Sequence, residues 1–311
     1  AQGNLLFEQN PGGAPANVLT TIVRQGGSGA LISAVGDDEF GHYLHSVIEK
    51  EGICSSGLQF THDAATTLAF VSLSETGDRS FSFCRKPGAD QKIKKELFDL
   101  SLIDQCKIFH FGSLSLSDEP SCSSALYAAE YAKKRGKLIS YDPNWRAPLW
   151  ESQEMGIVGM KLGLPYTDIL KLSEEELSLL SGCSDLFEGT KLLYELYPNL
   201  RLIVVTLGSA GCFYRFSTHT GKLPTYDTRI IDTTGAGDAF WGALLLRIAQ
   251  NPNCIEDEQE EYLCTAMDFA NASGALCASG RGAIPSIPTL REVENLRKIR
   301  NLISVEMSSD L

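Results

Sequence analysis

The chain has 311 residues, with 27 Lys and Arg against 39 Asp and Glu, which gives a net charge of −12. Hydrophobic residues make up 43% of it, enough for a sizeable core, and this excludes disordered, collagen-like and low-complexity classes. Because the acidic charge repels a polyphosphate backbone and no basic stripe is interleaved with aromatic residues, we expect no nucleic-acid partner. The length fits two domain units or one large α/β domain with an accessory piece.

We expect neither a membrane-spanning nor a secreted protein. Apolar runs such as those at 202–205 and 244–246 are far shorter than the roughly 20 residues that cross a bilayer, so we expect no membrane partner. Residues 1–10 lack the basic start and apolar core of a signal peptide, and the predicted location is cytoplasmic. The nine cysteines include no Cys-x-x-Cys pair, which favours free thiols over a disulfide framework.

Strand-like apolar runs alternate with amphipathic helical segments along most of the chain. Strands are predicted at Leu31–Val35, Lys107–Gly112, Lys137–Asp142, Asp168–Leu172, Arg201–Gly208, Gly211–Phe216 and Thr228–Asp232. Helices are predicted at Ala16–Gln25, Phe40–Glu51, Ser121–Arg135, Ser173–Leu180 and Thr190–Leu196. This order predicts an α/β fold with a doubly wound, mostly parallel sheet and helices on both faces. In such folds the ligand lies beyond the carboxyl ends of the strands.

One segment, from Leu58 to Cys84, departs from this alternation because it contains strands and no helix. Its strands are predicted at 58–61, 67–73 and 79–84. A turn at Glu75–Asp78 separates the last two, and such a hairpin cannot be a parallel crossover. The segment therefore predicts a small β-strand lid on the main sheet.

The lid divides the chain into two units. The main α/β domain is predicted over 12–57 and 86–311, and the lid over 1–11 and 58–85. The lid strands carry the aromatic residues Phe70, Phe81 and Phe83. An exposed apolar lid surface predicts a homodimer formed lid to lid.

The strongest functional signal is DTTGAGDAF at 232–240, where a strand end, a glycine turn and an apolar helix follow one another. Gly235, Ala236 and Gly237 can present successive backbone N–H groups at a helix N-terminus, where the helix dipole also favours an anion. A carboxylate at Asp238 would repel a phosphate bound there. Its presence therefore favours a role in catalysis, in which it accepts the proton of an attacking hydroxyl. The alternative is that Asp238 only caps the helix.

Two other loops of small residues accompany this motif. Gly12 and Gly13 precede a helix whose first turn contains Pro15, and Asn17 can donate and accept hydrogen bonds toward a polyhydroxylated ligand. The segment 206–211 places a second small-residue loop at the carboxyl end of a strand. By itself, the first loop is better explained as a plain Gly-Gly turn before a helix. The alternative for the second is a simple β-hairpin turn between two apolar strands.

Taken together, the motifs resemble the ribokinase-like, or phosphofructokinase-B, family of carbohydrate kinases, and within it the bacterial fructokinases. The resemblance extends from about Gly3 to Pro288. It is carried by PGGAPANV (11–18), RKPGAD (85–90), DPNWR (142–146), KLSEEE (171–176), VTLGSAG (205–211), DTTGAGDAF (232–240) and GAIPSIPT (282–289). The two glycine-rich motifs, PGGAPANV and DTTGAGDAF, are in this order a specific sign of the family. RKPGAD and DPNWR indicate which subfamily the chain resembles.

The resemblance implies an ATP-dependent kinase that transfers the γ-phosphate to the primary hydroxyl of a ketohexose, with D-fructose as the preferred substrate. It leaves open a kinase of the same fold that acts on 2-keto-3-deoxygluconate, ribose or a riboside. A catalytically silent sugar-binding or regulatory protein is the alternative from another class. The intact Asp238, Gly235 and Gly237 favour an enzyme.

The resemblance also implies roles for individual residues. Asp238 is the expected general base, with Gly235, Ala236 and Gly237 as the anion hole for the γ-phosphate. The residues implied in substrate binding are Gly12, Gly13, Asn17, Phe83, Arg85, Arg146 and Asp238, and Arg146 is also expected over the transferring phosphate. The residues implied in ATP binding are Thr206, Gly208, Gly211, Gly235, Gly237 and Asn271.

Two metal ions are implied by the same resemblance. Mg²⁺ accompanies ATP, and Glu176 is the expected carboxylate that holds it through water. Ser173 and Glu176 also match an ordinary helix-capping pair, and both roles are compatible. A monovalent cation, K⁺, is expected beside the anion hole. Its implied ligands are Asp232, Thr234 and Ser286, with backbone carbonyls near Ala278 and Gly282.

The chain departs from the family pattern in two places. The family begins with a central strand that carries a sugar-binding aspartate, whereas this sequence starts after that point, so we expect an N-terminal piece to be missing and can assign no residue to that aspartate. The family's Asn-x-x-Glu motif is here Ser173-x-x-Glu176. The substitution weakens the expected metal role at the first position of that motif only.

Overall fold

Helices and strands alternate in the computed structural model, which describes residues 7–73 and 79–309. Its strands are β1 Ser33–Gly36, β2 Leu58–Thr61, β3 Leu68–Leu73, β4 Arg79–Cys84, β5 Ile108–Gly112, β6 Leu138–Asp142, β7 Ile169–Ser173, β8 Leu202–Thr206, β9 Cys212–Phe216 and β10 His219–Leu223. Its helices are α1 Ala14–Arg24, α2 Glu39–Lys50, α3 Leu100–Gln105, α4 Ser121–Lys134, α5 Gln153–Gly163, α6 Glu174–Ser181, α7 Leu186–Leu196, α8 Ala236–Gln250, α9 Glu260–Ala278 and α10 Leu290–Ser309. Each helix predicted from the sequence is present.

The largest sheet has six strands in the order β10-β9-β8-β7-β6-β5. Strands β5 to β8 are parallel, whereas β9 runs antiparallel to both β8 and β10. Ile169, Leu170, Ile203 and Val204 on its central strands are completely buried, as expected of strands covered on both faces. The doubly wound, mostly parallel α/β fold predicted from the sequence is therefore confirmed.

Helices pack on both faces of this sheet. On one face, α1 and α8 contribute Val18 and Trp241 to a hydrophobic cluster that also contains residues of α9. On the other face, α4, α5 and α6 contribute Ala128, Met160 and Leu177 to a second cluster. Because both faces are covered, the carboxyl edge of the parallel strands is the place for a ligand.

The first two strands form a separate parallel pair, in which Ser33 lies opposite Leu58. Helix α2 connects them as a crossover. Strand β2, which the sequence grouped with the lid strands, thus pairs with β1. This pairing follows from the helix between them, since a parallel neighbour needs a crossover rather than a tight turn.

Strands β3 and β4 form an antiparallel hairpin, with Leu68 opposite Cys84 and Leu73 opposite Arg79. The hairpin is the one predicted for the lid. The predicted turn at Glu75–Asp78, and residues 1–6 of the predicted lid, lie outside the described residues. The division of the chain into a main domain and a lid stays a prediction.

One predicted strand, Thr228–Asp232, is wrong. Two of its backbone N–H groups, those of Ile231 and Asp232, donate to the Ala278 carbonyl oxygen at the end of α9, at 2.9 and 3.1 Å. The segment therefore pairs with a helix end instead of a neighbouring strand. Strand β10 occupies the sheet edge instead.

The helices begin in two different ways. The side chains of Asp38, Ser173 and Asp185 cap α2, α6 and α7 by accepting backbone hydrogen bonds. In contrast, α1 and α8 begin at Gly13 and Gly235, which have φ angles of 121° and 80° and no side chain to act as a cap. Among the described residues, none of the helices is both long and apolar enough to span a bilayer.

Candidate active site

The first turn of α8 is built from main chain alone. Gly235 has a φ of 80°, in the left-handed region that favours glycine, and it provides no capping oxygen. The Ala236 N–H donates to the Thr233 carbonyl oxygen at 3.2 Å. A helix N-terminus with no side-chain cap offers backbone N–H donors and the positive end of the helix dipole to an anion. The turn therefore has the chemistry of a phosphate site.

Asp238 is the third residue of α8, and its Oδ2 accepts a 2.7 Å hydrogen bond from Asn17 Nδ2 on α1. Burial is the main cause that raises the pKa of this carboxyl to about 6, and the Asn17 hydrogen bond opposes it. Such a carboxylate is ionised at neutral pH and still binds a proton readily. These are the properties of a general base.

The two glycine-rich turns meet at Ala283. A Cβ atom built on Gly12 would lie 3.8 Å from the Ala283 Cβ, and one built on Gly235 would lie 3.1 Å from the same atom. Gly282, which precedes Ala283, has a φ of 81° and turns the chain there. The two predicted motifs therefore form one site, although they lie far apart in the sequence.

Asn17 is buried and uses only part of its hydrogen-bonding capacity within the described chain. Its Oδ1 has no hydrogen-bond partner there, while its Nδ2 donates to Asp238. A Cβ atom built on Gly12 would lie 3.9 Å from this Oδ1. Because a buried amide oxygen without a partner is costly, it is a natural acceptor for a ligand hydroxyl.

A buried ion pair lies beside these turns, and its lysine received no role from the sequence. Lys171 on β7 donates from Nζ to Asp142 Oδ2 at 2.7 Å, and both side chains are less than a tenth exposed. A Cβ atom built on Gly237 would be 3.6 Å from Lys171 Nζ. The signal that could have identified Lys171 is a charged residue within the apolar run of β7.

The two arginines predicted at the substrate differ in their surroundings. Arg146 is exposed, donates to the Trp145 carbonyl oxygen at 2.7 Å, and lies close enough to lower the pKa of Asp238. Arg85 is buried and bonded within the protein, to Asp90, Ser117 and the Leu114 carbonyl oxygen. The structure therefore brings Arg146 to the Asp238 site, whereas Arg85 is engaged in holding neighbouring segments together.

Phe83 lies on β4 and is half-buried. Its strand packs near the short helix Ala147–Leu149, which follows Arg146 directly. The hairpin is thus placed on the same side as Arg146. A role for Phe83 in binding substrate stays a prediction.

Four of the residues predicted to bind ATP lie around the loop between β8 and β9 and on α9. Gly208 and Gly211 have φ angles of 57° and 93°, and a Cβ on Gly211 would collide with the Leu223 carbonyl oxygen. Thr206 donates to the Leu172 carbonyl oxygen at 3.3 Å. Asn271 is buried and donates to the Leu223 and Pro224 carbonyl oxygens. These contacts shape the loop, and contact of these residues with a nucleotide stays a prediction.

The predicted magnesium residue, Glu176, is buried and bonded through both oxygens. Its Oε1 accepts from the Trp145 N–H and its Oε2 from the Ser173 N–H, each at 2.6 Å. No group of three or more His, Cys, Asp or Glu side chains close enough for a metal occurs within residues 7–73 and 79–309. The arrangement fits an ion held mostly by phosphates and water, with Glu176 as an outer carboxylate.

The residues predicted for a monovalent cation lie together. Asp232 accepts hydrogen bonds from the backbone N–H groups of Thr234, at 2.8 Å, and Gly282, at 3.0 Å. Ser286 donates to the Gly282 and Ala283 carbonyl oxygens. The loop is lined by carboxylate, hydroxyl and carbonyl oxygens, the donors that hard cations prefer, and it therefore fits such an ion.

Arg24, at the end of α1, holds this loop and received no role from the sequence. Its Nη1 donates to the carbonyl oxygens of Ile284 and Ile287, at 3.0 and 2.7 Å. Its Nε and Nη2 form a bidentate pair with Glu51 at 2.8 and 2.7 Å. An arginine at a helix end is common, and nothing local in the sequence indicates these distant partners.

The site can be compared with known families. Residues 6–290 match the profile described as pfkB family carbohydrate kinase. The chain belongs to this family. The resemblance inferred from its motifs is confirmed, and Asp238, Asn17 and the two glycine turns are the candidate active site of a carbohydrate kinase.

Individual proteins with similar sequences or structures are carbohydrate kinases as well. Probable fructokinase-5 of Arabidopsis thaliana is 42% identical over 95% of this chain and 90% of its own length. The crystal structure of fructokinase with bound ATP from Xylella fastidiosa has a TM-score of 0.89 and 32% identity, covering 95% of this chain and 92% of that one. A fructokinase from Vibrio cholerae O395, bound to fructose, ADP and calcium ion, has a TM-score of 0.86 and 31% identity, covering 95% and 94%.

Proposed function

We propose that this carbohydrate kinase is an ATP-dependent fructokinase, which converts D-fructose and ATP to fructose 6-phosphate and ADP. One observation carries the proposal: the Asp238 carboxylate lies in the first turn of α8 and is bonded to Asn17 of the other glycine motif. This contact brings together a candidate base, Asp238, an anion site at the start of α8, and a turn at Asn17 that can bind sugar hydroxyls. The names and ligands of the related proteins from Arabidopsis thaliana, Xylella fastidiosa and Vibrio cholerae support fructose and ATP as the substrates.

The sugar binds against the turn at Gly12 and Gly13 in this proposal. Neither glycine has a side chain, so the sugar can approach the backbone closely. The Asn17 Oδ1, which has no partner in the described chain, accepts a hydrogen bond from a sugar hydroxyl. Holding the sugar this way places its primary hydroxyl at Asp238.

Phosphoryl transfer then follows an in-line path. The sugar hydroxyl oxygen forms a bond to the γ-phosphorus as the bond from that phosphorus to the β–γ bridging oxygen breaks. The electron pair of the broken bond leaves with ADP, and the hydroxyl proton moves to Asp238. The main-chain N–H groups at 235–237 and Arg146 stabilise the charge on the transferring group.

Two cations complete the proposal. Mg²⁺, when bound, neutralises phosphate charge, and Glu176 is the residue that would hold its water ligands. K⁺ is assigned to the loop formed by Asp232, Thr234 and Ser286 with the carbonyls near Ala278 and Gly282. Thr206, Gly208, Gly211 and Asn271 are assigned to the rest of the nucleotide.

The β3–β4 hairpin, together with residues that precede α1, is proposed as a lid over the sugar. The side chains of Phe70 and Val71 on β3 are 36% and 45% exposed, and Phe7 packs edge-on against Phe70. An exposed apolar surface of this kind supports lid-to-lid dimerisation. The proposed location of the protein is the cytoplasm. The side chain of Phe81 lies outside the described residues. A monomeric mass by light scattering at micromolar concentration would contradict the dimer.

An ADP-release assay tests the proposed reaction. The protein is incubated with ATP and Mg²⁺, and with D-fructose, 2-keto-3-deoxygluconate, ribose or no sugar in parallel. We expect the highest kcat/KM with D-fructose and little release without sugar. Faster turnover with another sugar would reassign the substrate, and no sugar-dependent release with any of them would favour a silent binding protein.

A further inference from the structure

The buried ion pair between Lys171 and Asp142 lies at the candidate site, and the reaction described so far does not use it. Lysine is almost never fully buried unless it is paired, because removing an ammonium group from water is expensive. A buried pair seldom stabilises a fold more than apolar residues of similar size would. Lys171 lies in the middle of the buried strand β7, a position that an apolar residue usually occupies, so a functional reason for it is expected.

The position of Lys171 supplies that reason. Its Nζ and Cε both lie 3.6 Å from where a Cβ atom on Gly237 would be, so the ammonium group is next to the first turn of α8. The absence of a side chain at Gly237 leaves room between this turn and the lysine. A group bound by the turn would therefore lie beside the ammonium.

The charges around Lys171 leave it able to bind another anion. Its ammonium has three N–H donors, and within the described chain Asp142 Oδ2 accepts the one hydrogen bond that it makes. Asp142 is held in turn by the Asn144 N–H, which donates to its Oδ1 at 3.2 Å. Glu176 is satisfied by two backbone N–H groups. Two donors of the ammonium thus stay available for a ligand.

We propose that Lys171 is a catalytic residue that donates hydrogen bonds to the non-bridging oxygens of the transferring phosphoryl group, while Asp142 holds its ammonium in place. The inference rests on the proposed kinase reaction and adds a third source of positive charge to the main-chain N–H groups and Arg146. A compact ammonium anchored on a sheet strand keeps its position as charge moves from the sugar oxygen to ADP. Such preorganised charge stabilises a transition state more than a mobile side chain does.

The test compares Lys171→Met, Asp142→Asn and the double variant Lys171→Met/Asp142→Asn. Lys171→Met should lower kcat by about 10²- to 10³-fold, the usual effect of removing one donor at a developing charge, and should change the sugar KM little. The double variant should be as slow as Lys171→Met. Because the double variant leaves no unpaired buried carboxylate at this pair, we expect it to fold even if Lys171→Met is unstable. Asp142→Asn keeps the ammonium and should lose less activity than either.

Recovery of kcat in the double variant would overturn the proposal, because it would show that Lys171 only neutralises Asp142. A kcat within threefold of the wild type in Lys171→Met would overturn it as well. Binding supplies a readout that a structural role would not move: the double variant should keep its affinity for ADP and lose affinity for the non-hydrolysable analogue AMP-PNP. Equal losses for both nucleotides would place Lys171 away from the terminal phosphate.

All three variants are assayed with whichever sugar the wild-type protein phosphorylates fastest. A wild type that prefers another sugar would change the proposed substrate and leave the comparison of Lys171 variants intact. Conversely, a wild-type fructokinase with an unaffected Lys171→Met variant would remove this inference and keep the proposed function.

Discussion

Helices α6 and α8 carry an acidic residue at the same position, the third residue of the helix, and use it differently. In α6, Glu176 bends back to accept from the Ser173 N–H, while the Ser173 hydroxyl accepts from the Glu176 N–H. In α8, the residue before the helix is Gly235, and Asp238 accepts from Asn17 on another helix. Glu176 thus closes the end of its own helix, whereas Asp238 is hydrogen-bonded to a motif that is distant in the sequence.

The contrast teaches how a helix end is left open for chemistry. A side-chain cap contributes about 0.5–2 kcal/mol to a helix, and the reciprocal pair at Ser173 and Glu176 gains this stability. Gly235 has no side chain to form such a cap, so it occupies none of the main-chain donors in the first turn of α8. The same helix position therefore closes a capping pair in α6 and is available for a substrate in α8.

The largest expected effect comes from neutralising the acid of α8. Asp238→Asn should lower kcat by about 10²- to 10⁴-fold, because the sugar hydroxyl loses its proton acceptor. Its free energy of unfolding should not fall, since burial already raises the pKa of this carboxyl and the charge is unfavourable to the fold at neutral pH. Steady-state kinetics and urea unfolding measure the two quantities. Near-normal turnover would exclude Asp238 as the base.

The matched change in α6 should lower the stability of the fold. In Glu176→Gln one carboxylate oxygen that accepts a backbone N–H becomes an amide NH₂, so a buried donor at Trp145 or Ser173 loses its partner. The loss should lower the free energy of unfolding by about 1–3 kcal/mol. The urea midpoint, measured with an unchanged m-value, checks this. An unchanged midpoint would show that the capping pair adds nothing.

Adding a methyl group at Gly12 or at Gly237 should show which of the two turns binds the sugar and which binds ATP. A Cβ on Gly12 or Gly237 meets no protein atom closer than 3.8 or 3.6 Å, so both alanine variants fit in the folded protein. Gly12→Ala should raise the KM for sugar by roughly fivefold, the effect of about 1 kcal/mol of overpacking against the ligand, and should spare ATP. Gly237→Ala should do the reverse. Both KM values are measured from initial rates. If Gly12→Ala raised the KM for ATP and Gly237→Ala the KM for sugar, the assignments of the two turns would have to be exchanged.

The smallest expected effect is a shift in pH dependence. Because Asp238 must be ionised to accept a proton and its pKa is raised to about 6, kcat/KM should rise with pH below about 6 and level off above it. Asn17→Ala removes a hydrogen bond that lowers this pKa, so the midpoint should move to higher pH. Gly12→Ala, which retains Asn17, should keep the midpoint. A downward shift in Asn17→Ala would mean that another group controls the profile.

Much of this architecture could be predicted because its causes are local. The apolar runs of β6 to β9 are long enough to indicate buried strands, and the Ser173–Glu176 pair announces the start of α6. The glycine turn before α8 is also visible, because only glycine readily adopts the φ of 80° found at Gly235. Such features depend on neighbours within a few residues.

Contacts between distant segments could not be predicted in this way. Asn17 and Asp238 are 221 positions apart, and only the packing of α1 beside α8 brings them together. The error at Thr228–Asp232 has the same origin, since the end of α9 supplies its hydrogen-bond partner. Lys171 was overlooked because a single charge in an apolar strand does not reveal which carboxylate it faces.

Ala283 lies between the two glycine turns of the candidate site. Gly12 and Gly235 both lie close to its one methyl group, so in the proposed reaction the size of that methyl would help to set the distance between the sugar and the phosphate. A bulkier residue there would push the donor and acceptor sides apart and lengthen the line of attack. In the proposed reaction the Ala283 methyl would thus act as a spacer between the two reacting groups.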